Sequence, residues 1–295
     1  MKNIIVTGAN GQLGNEIREL APFFQDYQFH FSGSQELDIT DAAAVKSEFD
    51  RIQPVFVINC AAYTAVDKAE EEIKKSYAVN AEAVLTLADC CRHFNAQLIH
   101  VSSDYVYHNG LNRPLLETDP TIPKGVYAAS KLRGDMGAMA ANPNTIIIRT
   151  SWVYSSFGNN FLKTMLRLGR EREQLGIVYD QIGAPTSAKD IAKAILKILQ
   201  KVEVEGQKFG GVYNFAPQGI TCWYDYAKTI FELENITCQV NSIPSKAYPT
   251  PAQRPTYSVM DCTKIKETFG IEIPYWKDSV RECLHALKEQ TVVMN

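Results

Sequence analysis

Two hydroxyls and a carboxylate follow directly on an apolar run in "LIHVSSDY", residues 98–105. Side chains such as Ser102, Ser103 and Asp104 can hold a polar ligand, and a hydroxyl can donate to a growing negative charge. Farther along, "VYAASK" (126–131) sets Tyr127 and Lys131 four residues apart. On a helix that spacing puts both on one face. An ammonium beside a phenol favours the phenolate, so the pair is expected to lower the tyrosine pKa from ~10 and let it exchange a proton near neutral pH. The motif alone says little, because Tyr224 and Lys228 in "YDYAK" repeat it. That copy reads as a helix surface and core pair. Position separates the two, since Tyr127 follows the serine row and precedes an apolar run at 145–150.

A third group sits near the start. "TGANGQLG" (7–14) spaces Gly8, Gly11 and Gly14 as G-x-x-G-x-x-G. Glycines allow a sharp turn and close backbone approach to a pyrophosphate, and a helix N-terminus behind them offers free N–H groups and the positive end of a dipole. An apolar strand before the loop and an amphipathic helix after it mark a dinucleotide site. Asp38, in "ELDIT", could hydrogen-bond the adenine end with Ile39 against the ring; otherwise it is a helix N-terminal carboxylate. The second strand ends in "FSGS", with Ser32, Gly33 and Ser34 at the place that bears on cofactor choice. No carboxylate stands there to bind a ribose 2′-hydroxyl and repel a 2′-phosphate, and no arginine to hold one. NADPH is permitted, and NADH with it.

The elements that must position these groups alternate. Strands are expected at 3–7, 27–32, 55–60, 97–102 and 145–150, and helices at 12–21, 41–51, 65–94 and 127–141. Near-continuous apolar strands between helices indicate a parallel sheet buried on both faces. The expected fold is α/β, a doubly wound parallel sheet of Rossmann type with a smaller C-terminal α/β substrate lobe. Residues 1–150 form the dinucleotide-binding part. Residues 151–295 form mainly the substrate lobe, interleaved with the last strands of the sheet, with helices near 159–172, 187–201, 223–234 and 275–289. A ligand on such a sheet sits beyond the carboxyl ends of the strands, where Ser102, Ser103 and Asp104 lie.

Composition excludes several classes. A formal net charge of -3 without basic runs argues against nucleic acid. No apolar stretch reaches the ~18 residues that span a bilayer. The opening "MKNIIVTG" reads as a strand and not as a signal peptide. Seven cysteines without a C-x-x-C pair read as reduced, mostly buried thiols, and five scattered histidines suggest no metal site. A cytoplasmic protein is expected.

Glycine loop, serine row and Y-x-x-x-K in this order resemble the extended short-chain dehydrogenase/reductase superfamily. "NCAAYTAVDKAE" (59–70), "RTSWVY" (149–154), "GNNFLKTMLRL" (158–168), "DQIGAPTSAKDIA" (180–192), "TCWYDYAK" (221–228) and "YPTPAQRP" (248–255) narrow the resemblance to the dTDP-4-dehydrorhamnose reductase family, through nearly the whole chain. The resemblance implies reduction of a 4-keto nucleotide sugar. It implies that Gly11, Gln12 and Leu13 touch the cofactor pyrophosphate, that Asp38 and Ile39 hold the adenosine, and that Ala62, Tyr63 and Thr64 line the cofactor cleft. Tyr127 would donate the proton, Lys131 would bind the nicotinamide ribose, and Ser103 would hold the keto oxygen. Val101 and Ser102 would face the cofactor, while Asp104 and Trp152 contact the sugar nucleotide. Lys68 and Arg254 would be partners for diphosphate or sugar, with a solvated helix face as the bland reading of Lys68 and a core position as that of Trp152.

The family usually has threonine where Ser103 stands; serine keeps the hydroxyl. "DYVY" replaces D-Y-V-F, and "VYAAS" replaces V-Y-G-x-S. Some members bind magnesium between subunits through an acidic residue just after "GAPT". Here Lys189 takes that place with Asp190 beside it, so no metal ligand is assigned and a homodimer stays open. A sugar-nucleotide 4,6-dehydratase would need a glutamate after Asp104, where Tyr105 stands. A C4 epimerase is opposed by the reductase-type stretches. A regulatory subunit like that of methionine adenosyltransferase is opposed by the intact Ser103, Tyr127 and Lys131.

Overall fold

In the computed structural model, which describes residues 1–293, six parallel strands form the central sheet. They are β1 (Lys2–Thr7), β2 (Tyr27–Ser32), β3 (Phe56–Asn59), β4 (Gln97–Ser103), β5 (Ile146–Thr150) and β6 (Gly211–Asn214). Their order is β6-β5-β4-β3-β1-β2. The apolar runs become central strands because side chains alternate between two buried faces. Ile4, Val6, Ile58, Ile99 and Ile148 pack on one side against helix α6 (Ala188–Glu205), through Ile191 and Ile195. Ile5, Val57 and Leu98 pack on the other against α2 (Ala42–Ile52) and α3 (Ala83–His93), through Phe49, Val84 and Leu87. Strand β6 and helix α6 come from the second half of the chain and complete this sheet layer.

The chain runs from β1 outward to β2 and then returns to β3 on the other side of β1. That reversal opens a crevice at the carboxyl ends of β1 and β3. Helix α1 (Gln12–Leu20) starts at its edge, and α4 (Val126–Ala141) packs against α3 and beside β4.

The long helix expected over 65–94 is interrupted. Short helices at Val66–Ala69 and Ile73–Tyr77 precede one wide turn, Ala78–Glu82, with π-helical bonding. In that turn, Asn80 accepts the Tyr63 N–H at 2.9 Å, donates to the Tyr63 carbonyl at 3.0 Å and reaches Ser130 Oγ at 3.1 Å with its buried amide. Gly134 of α4 makes room, since a Cβ there would lie 2.0 Å from the Asn80 carbonyl oxygen.

The outer part of the second half has its own core. Strands Gln174–Val178 and Gln239–Ile243 pair in parallel. Helices α5 (Phe161–Glu171), α7 (Trp223–Leu233) and α8 (Trp276–Val293) close over them through Leu162, Tyr226, Ile230, Trp276 and Val280. The last two residues of the lobe expected at 151–295 lie outside the described residues. All seven cysteines are free thiols. Among the described residues, no helix is long and apolar enough to cross a membrane.

Candidate active site

Beyond the carboxyl ends of β1, β3, β4 and β5 lies a cleft of about 740 Å³. Gly8, Gly11, Gln12, Leu13, Asp38, Ile39, Ala62, Tyr63, Thr64, Val101, Ser102, Ser103, Asp104, Tyr127, Lys131 and Trp152 all line it. Of the residues expected to bind ligand, Gly14, Lys68 and Arg254 do not.

The glycine loop is built for close approach. Gly8 has φ +65°, and a Cβ there would fall 2.5 Å from the Ala61 nitrogen, so the turns after β1 and β3 touch through bare backbone. Helix α1 begins at Gly11 with no side-chain cap, which leaves first-turn N–H groups free beside the cleft. Gln12 is steadied by Asn160, whose Nδ2 donates to Gln12 Oε1 at 2.9 Å. Gly14 has a different task from the one expected of it. A Cβ there would sit 2.5 Å from Ala9 Cα, so this glycine lets the helix pack against its own loop and does not face the ligand space.

Three further residues differ in how they meet the cleft. Lys68 is exposed on its short helix, the solvated-face reading. Arg254 grips Asp67 with both terminal nitrogens, at 3.0 and 2.7 Å, so its charge is already matched outside the cleft. Asp38 lines the cleft, but its carboxylate accepts from the Thr40 N–H at 2.9 Å and the Thr40 hydroxyl at 2.7 Å. Those bonds hold its pKa below the usual carboxylate value. The second Y-x-x-x-K pair lies on α7, with the Lys228 ammonium over the Tyr224 ring and neither residue at the cleft.

At the serine row, Ser103 Oγ donates to Asp104 Oδ1 at 3.0 Å and accepts the Tyr105 N–H at 3.2 Å. Asp104 is 2% exposed, and burial pushes its carboxyl up to about 6. Tyr127 stands across from Ser103, with the Tyr105 ring edge-on to it at 5.4 Å. Burial pushes the Tyr127 phenol up to about 12, against a smaller downward pull from the Ser103 hydroxyl. The lowering expected from Lys131 is absent. That ammonium donates to the Val101 carbonyl at 2.8 Å and lies 3.3 Å from His100 Nε2, and burial draws its pKa down to about 8 while Asp135 opposes. Lys131 therefore bonds β4 beneath the phenol while it lines the cleft.

Trp152 forms one wall. It has φ +48°, rare for a residue with a side chain, and stacks on Trp223 at 3.7 Å between centroids. Gly183 makes this fit possible, since a Cβ there would come within 2.9 Å of the indole.

Sequence reasoning missed the polar groups beneath the cleft. Asn59, His100, Asp135 and Arg149 are all buried, and Arg149 Nε donates to Asp135 Oδ2 at 3.0 Å. The signal was available: asparagine, histidine and arginine inside "VFVINC", "LIHVS" and "TIIIRT" interrupt runs where every polar group needs a partner. Glu36, the acidic residue past the second strand that could reach the ribose, accepts the Gly33 N–H on its Oε2 at 2.8 Å at the end of β2.

A parallel, doubly wound sheet with a glycine loop at its switch point and a tyrosine–lysine helix over its carboxyl edge is the architecture of a nicotinamide-dependent oxidoreductase. The chain belongs to the family described as RmlD substrate binding domain, whose model matches residues 1–289. It is similar to the dTDP-4-dehydrorhamnose reductase of Aggregatibacter actinomycetemcomitans, at 40% identity over 95% of this chain and 98% of that one. Among solved structures it resembles a dTDP-4-dehydrorhamnose reductase of Clostridium acetobutylicum, with a TM-score of 0.91, 37% identity and coverage of 97% of this chain and 99% of that chain. The corresponding reductase of Bacillus anthracis, in complex with NADP, matches with a TM-score of 0.91 and 33% identity, over 97% of this chain and 100% of that chain.

Proposed function

We propose that this enzyme reduces the 4-keto group of dTDP-4-dehydro-L-rhamnose to give dTDP-L-rhamnose, with NADPH as preferred reductant and NADH tolerated. The observation that carries the reading is the convergence of Ser103, Tyr127 and Lys131 on one cleft with the glycine loop at its other end. The cleft fits a dinucleotide, because the α1 N-terminus has no side-chain cap and Gly8 keeps Cβ atoms out of the turn. Gly11, Gln12 and Leu13 would hold the pyrophosphate, Ile39 the adenine and Lys131 the nicotinamide ribose. When bound, the nicotinamide supplies the hydride.

The chain's own residues handle the oxygen. Tyr127 gives its proton to the keto oxygen as charge grows there, and Ser103 donates a hydrogen bond to the same atom. Lys131 as ammonium stabilises the tyrosinate left behind. Asp104 and Trp152 hold the sugar in line, and orientation of this kind lowers the barrier as well as KM. The first half of the chain holds mainly the cofactor and the second half mainly the sugar nucleotide. A homodimer and residence in the cytoplasm belong to the same proposal. The test is consumption of NADPH and NADH with dTDP-4-dehydrorhamnose, with the stereochemistry of the product established. Turnover to dTDP-L-rhamnose is expected. A pure, cofactor-binding protein that oxidised neither cofactor with this substrate would overturn the assignment.

A further inference from the structure

Asn59 ends β3 and is fully buried. Its Oδ1 accepts the Ala61 N–H at 3.1 Å and the Thr7 hydroxyl at 2.7 Å. A backbone N–H can only donate, so the orientation of the amide is determined. Its Nδ2 is then the atom that faces His100 Nδ1 at 3.0 Å. An amide nitrogen also only donates, so His100 Nδ1 must accept. A charged imidazole is excluded, and the one ring proton sits on Nε2. That N–H points at the space shared by Lys131 Nζ, at 3.3 Å, and Asp135 Oδ1, at 4.0 Å.

We propose that His100 is a positioning residue for Lys131: the chain Thr7–Asn59–His100 presents a donor to the lysine nitrogen, denies it a second acceptor within the sheet beyond the Val101 carbonyl, and so directs its remaining protons toward Tyr127 and the cofactor side of the cleft. The inference rests on the reading of Lys131 as the partner of Tyr127. The other groups around Nζ agree with it. From β4, the Val101 carbonyl takes one N–H at 2.8 Å. On α4, Asp135 is the one carboxylate near the lysine, and Arg149 from β5 occupies its Oδ2 at 3.0 Å. Arg149 Nη1 also donates to the Tyr107 hydroxyl at 2.9 Å, in the turn after β4. Asp104, in the same turn, is tied to Ser103. Lys131 therefore shares its one nearby carboxylate, Asp135, with Arg149, and burial leaves it able to change protonation near neutral pH.

Two measurements test this. Nitrogen-15 spectra of histidine-labelled protein, with the His100 signals assigned by their loss in His100→Phe, should show a neutral ring protonated at Nε2 from roughly pH 5.5 to 8.5. A ring that takes up a proton in that range, or one protonated at Nδ1, overturns the proposal. Asn59→Asp keeps the acceptor for Thr7 and Ala61 but faces Nδ1 with a carboxylate oxygen. The ring tautomer should reverse, Nε2 should become an acceptor for the Lys131 ammonium, and the alkaline limb of kcat should move up by about one pH unit or more. A folded Asn59→Asp enzyme with the wild-type pH profile also overturns it. The tautomer spectrum needs no substrate. Absence of turnover in the wild type would count against the sugar assignment and leave the spectrum to decide the role of His100.

Discussion

Replacing Asp104 with asparagine should make the protein more stable at neutral pH while weakening its grip on the sugar nucleotide. Asp104 is 2% exposed; its Oδ1 accepts the Ser103 hydroxyl at 3.0 Å, and its Oδ2 lacks a hydrogen bond of good geometry. Hydroxyl groups of Ser258 and Ser103 draw the carboxyl down, but burial wins and raises it from 3.8 to about 6. The gap between those values, at ~1.4 kcal/mol per pH unit, comes to about 3 kcal/mol. The sign follows from proton binding. Between pH 3.8 and about 6 the folded chain holds this proton more tightly than the unfolded chain does. The stability that the acid form provides is fully present below the lower value and lost as pH rises through the upper one. At neutral pH the folded protein thus carries the cost of a buried, half-satisfied charge. Asparagine keeps the oxygen that accepts from Ser103, adds donors beside Ser258 and has no charge. Urea denaturation of both proteins from pH 4.5 to 8 should show Asp104→Asn ahead by up to about 3 kcal/mol at the alkaline end, with the gain shrinking toward acid. The same variant should raise KM for the sugar nucleotide more than it lowers kcat, as the loss of ground-state contacts does. A stability difference that stays constant with pH, or a wild type more stable at neutral pH, would refute the reasoning.

Three other changes probe the cleft. Tyr127→Phe should keep the fold and NADPH binding, followed by thermal shift, and lose ~10²–10⁴-fold in kcat; activity within a few-fold of wild type would remove Tyr127 from the proton step. Ser103→Ala should lower kcat at saturating NADPH, because the lost donor matters most as charge builds on the oxygen, and an unchanged kcat would show that another group serves the oxyanion. Glu36→Ala should shift preference toward NADPH over NADH by about tenfold, since Glu36 is the acidic side chain folded against Gly33 at the end of β2. Equal selectivity ratios for the two proteins, from steady-state kinetics, would mean that this carboxylate is too far from the ribose to matter.

The sheet was legible because its strands are buried on both faces, and a run such as "VFVIN" has little other use than a core strand. Ser103, Tyr127 and Lys131 could be read from spacing, since a helix turn and a strand end convert sequence distance into position. Interactions across elements could not. Asn80 holds Tyr63, a partner 17 residues away, and periodicity carries no trace of that bond. Arg254 looked free because its partner, Asp67, lies 187 residues earlier in the chain. Gly14 shared its spacing with Gly8 and Gly11, yet only the three-dimensional contact with Ala9 shows that it packs the helix against its own loop.

The pKa of Tyr127 moved opposite to the expectation drawn from Lys131, and the direction of the proposed reaction explains why both can hold. A carbonyl reductase must begin with its phenol protonated. Burial, which pushes Tyr127 up to about 12, keeps that proton in place through neutral pH. The phenolate appears only after transfer, and at that moment a cation nearby has most effect. Lys131 is held by the Val101 carbonyl and shares Asp135 with Arg149, so its charge is only partly offset before the tyrosinate forms. An ammonium locked in a strong ion pair would stabilise the ground state and the product side alike. One held on a neutral carbonyl beside a neutral imidazole keeps its effect for the step in which the phenol gives up its proton.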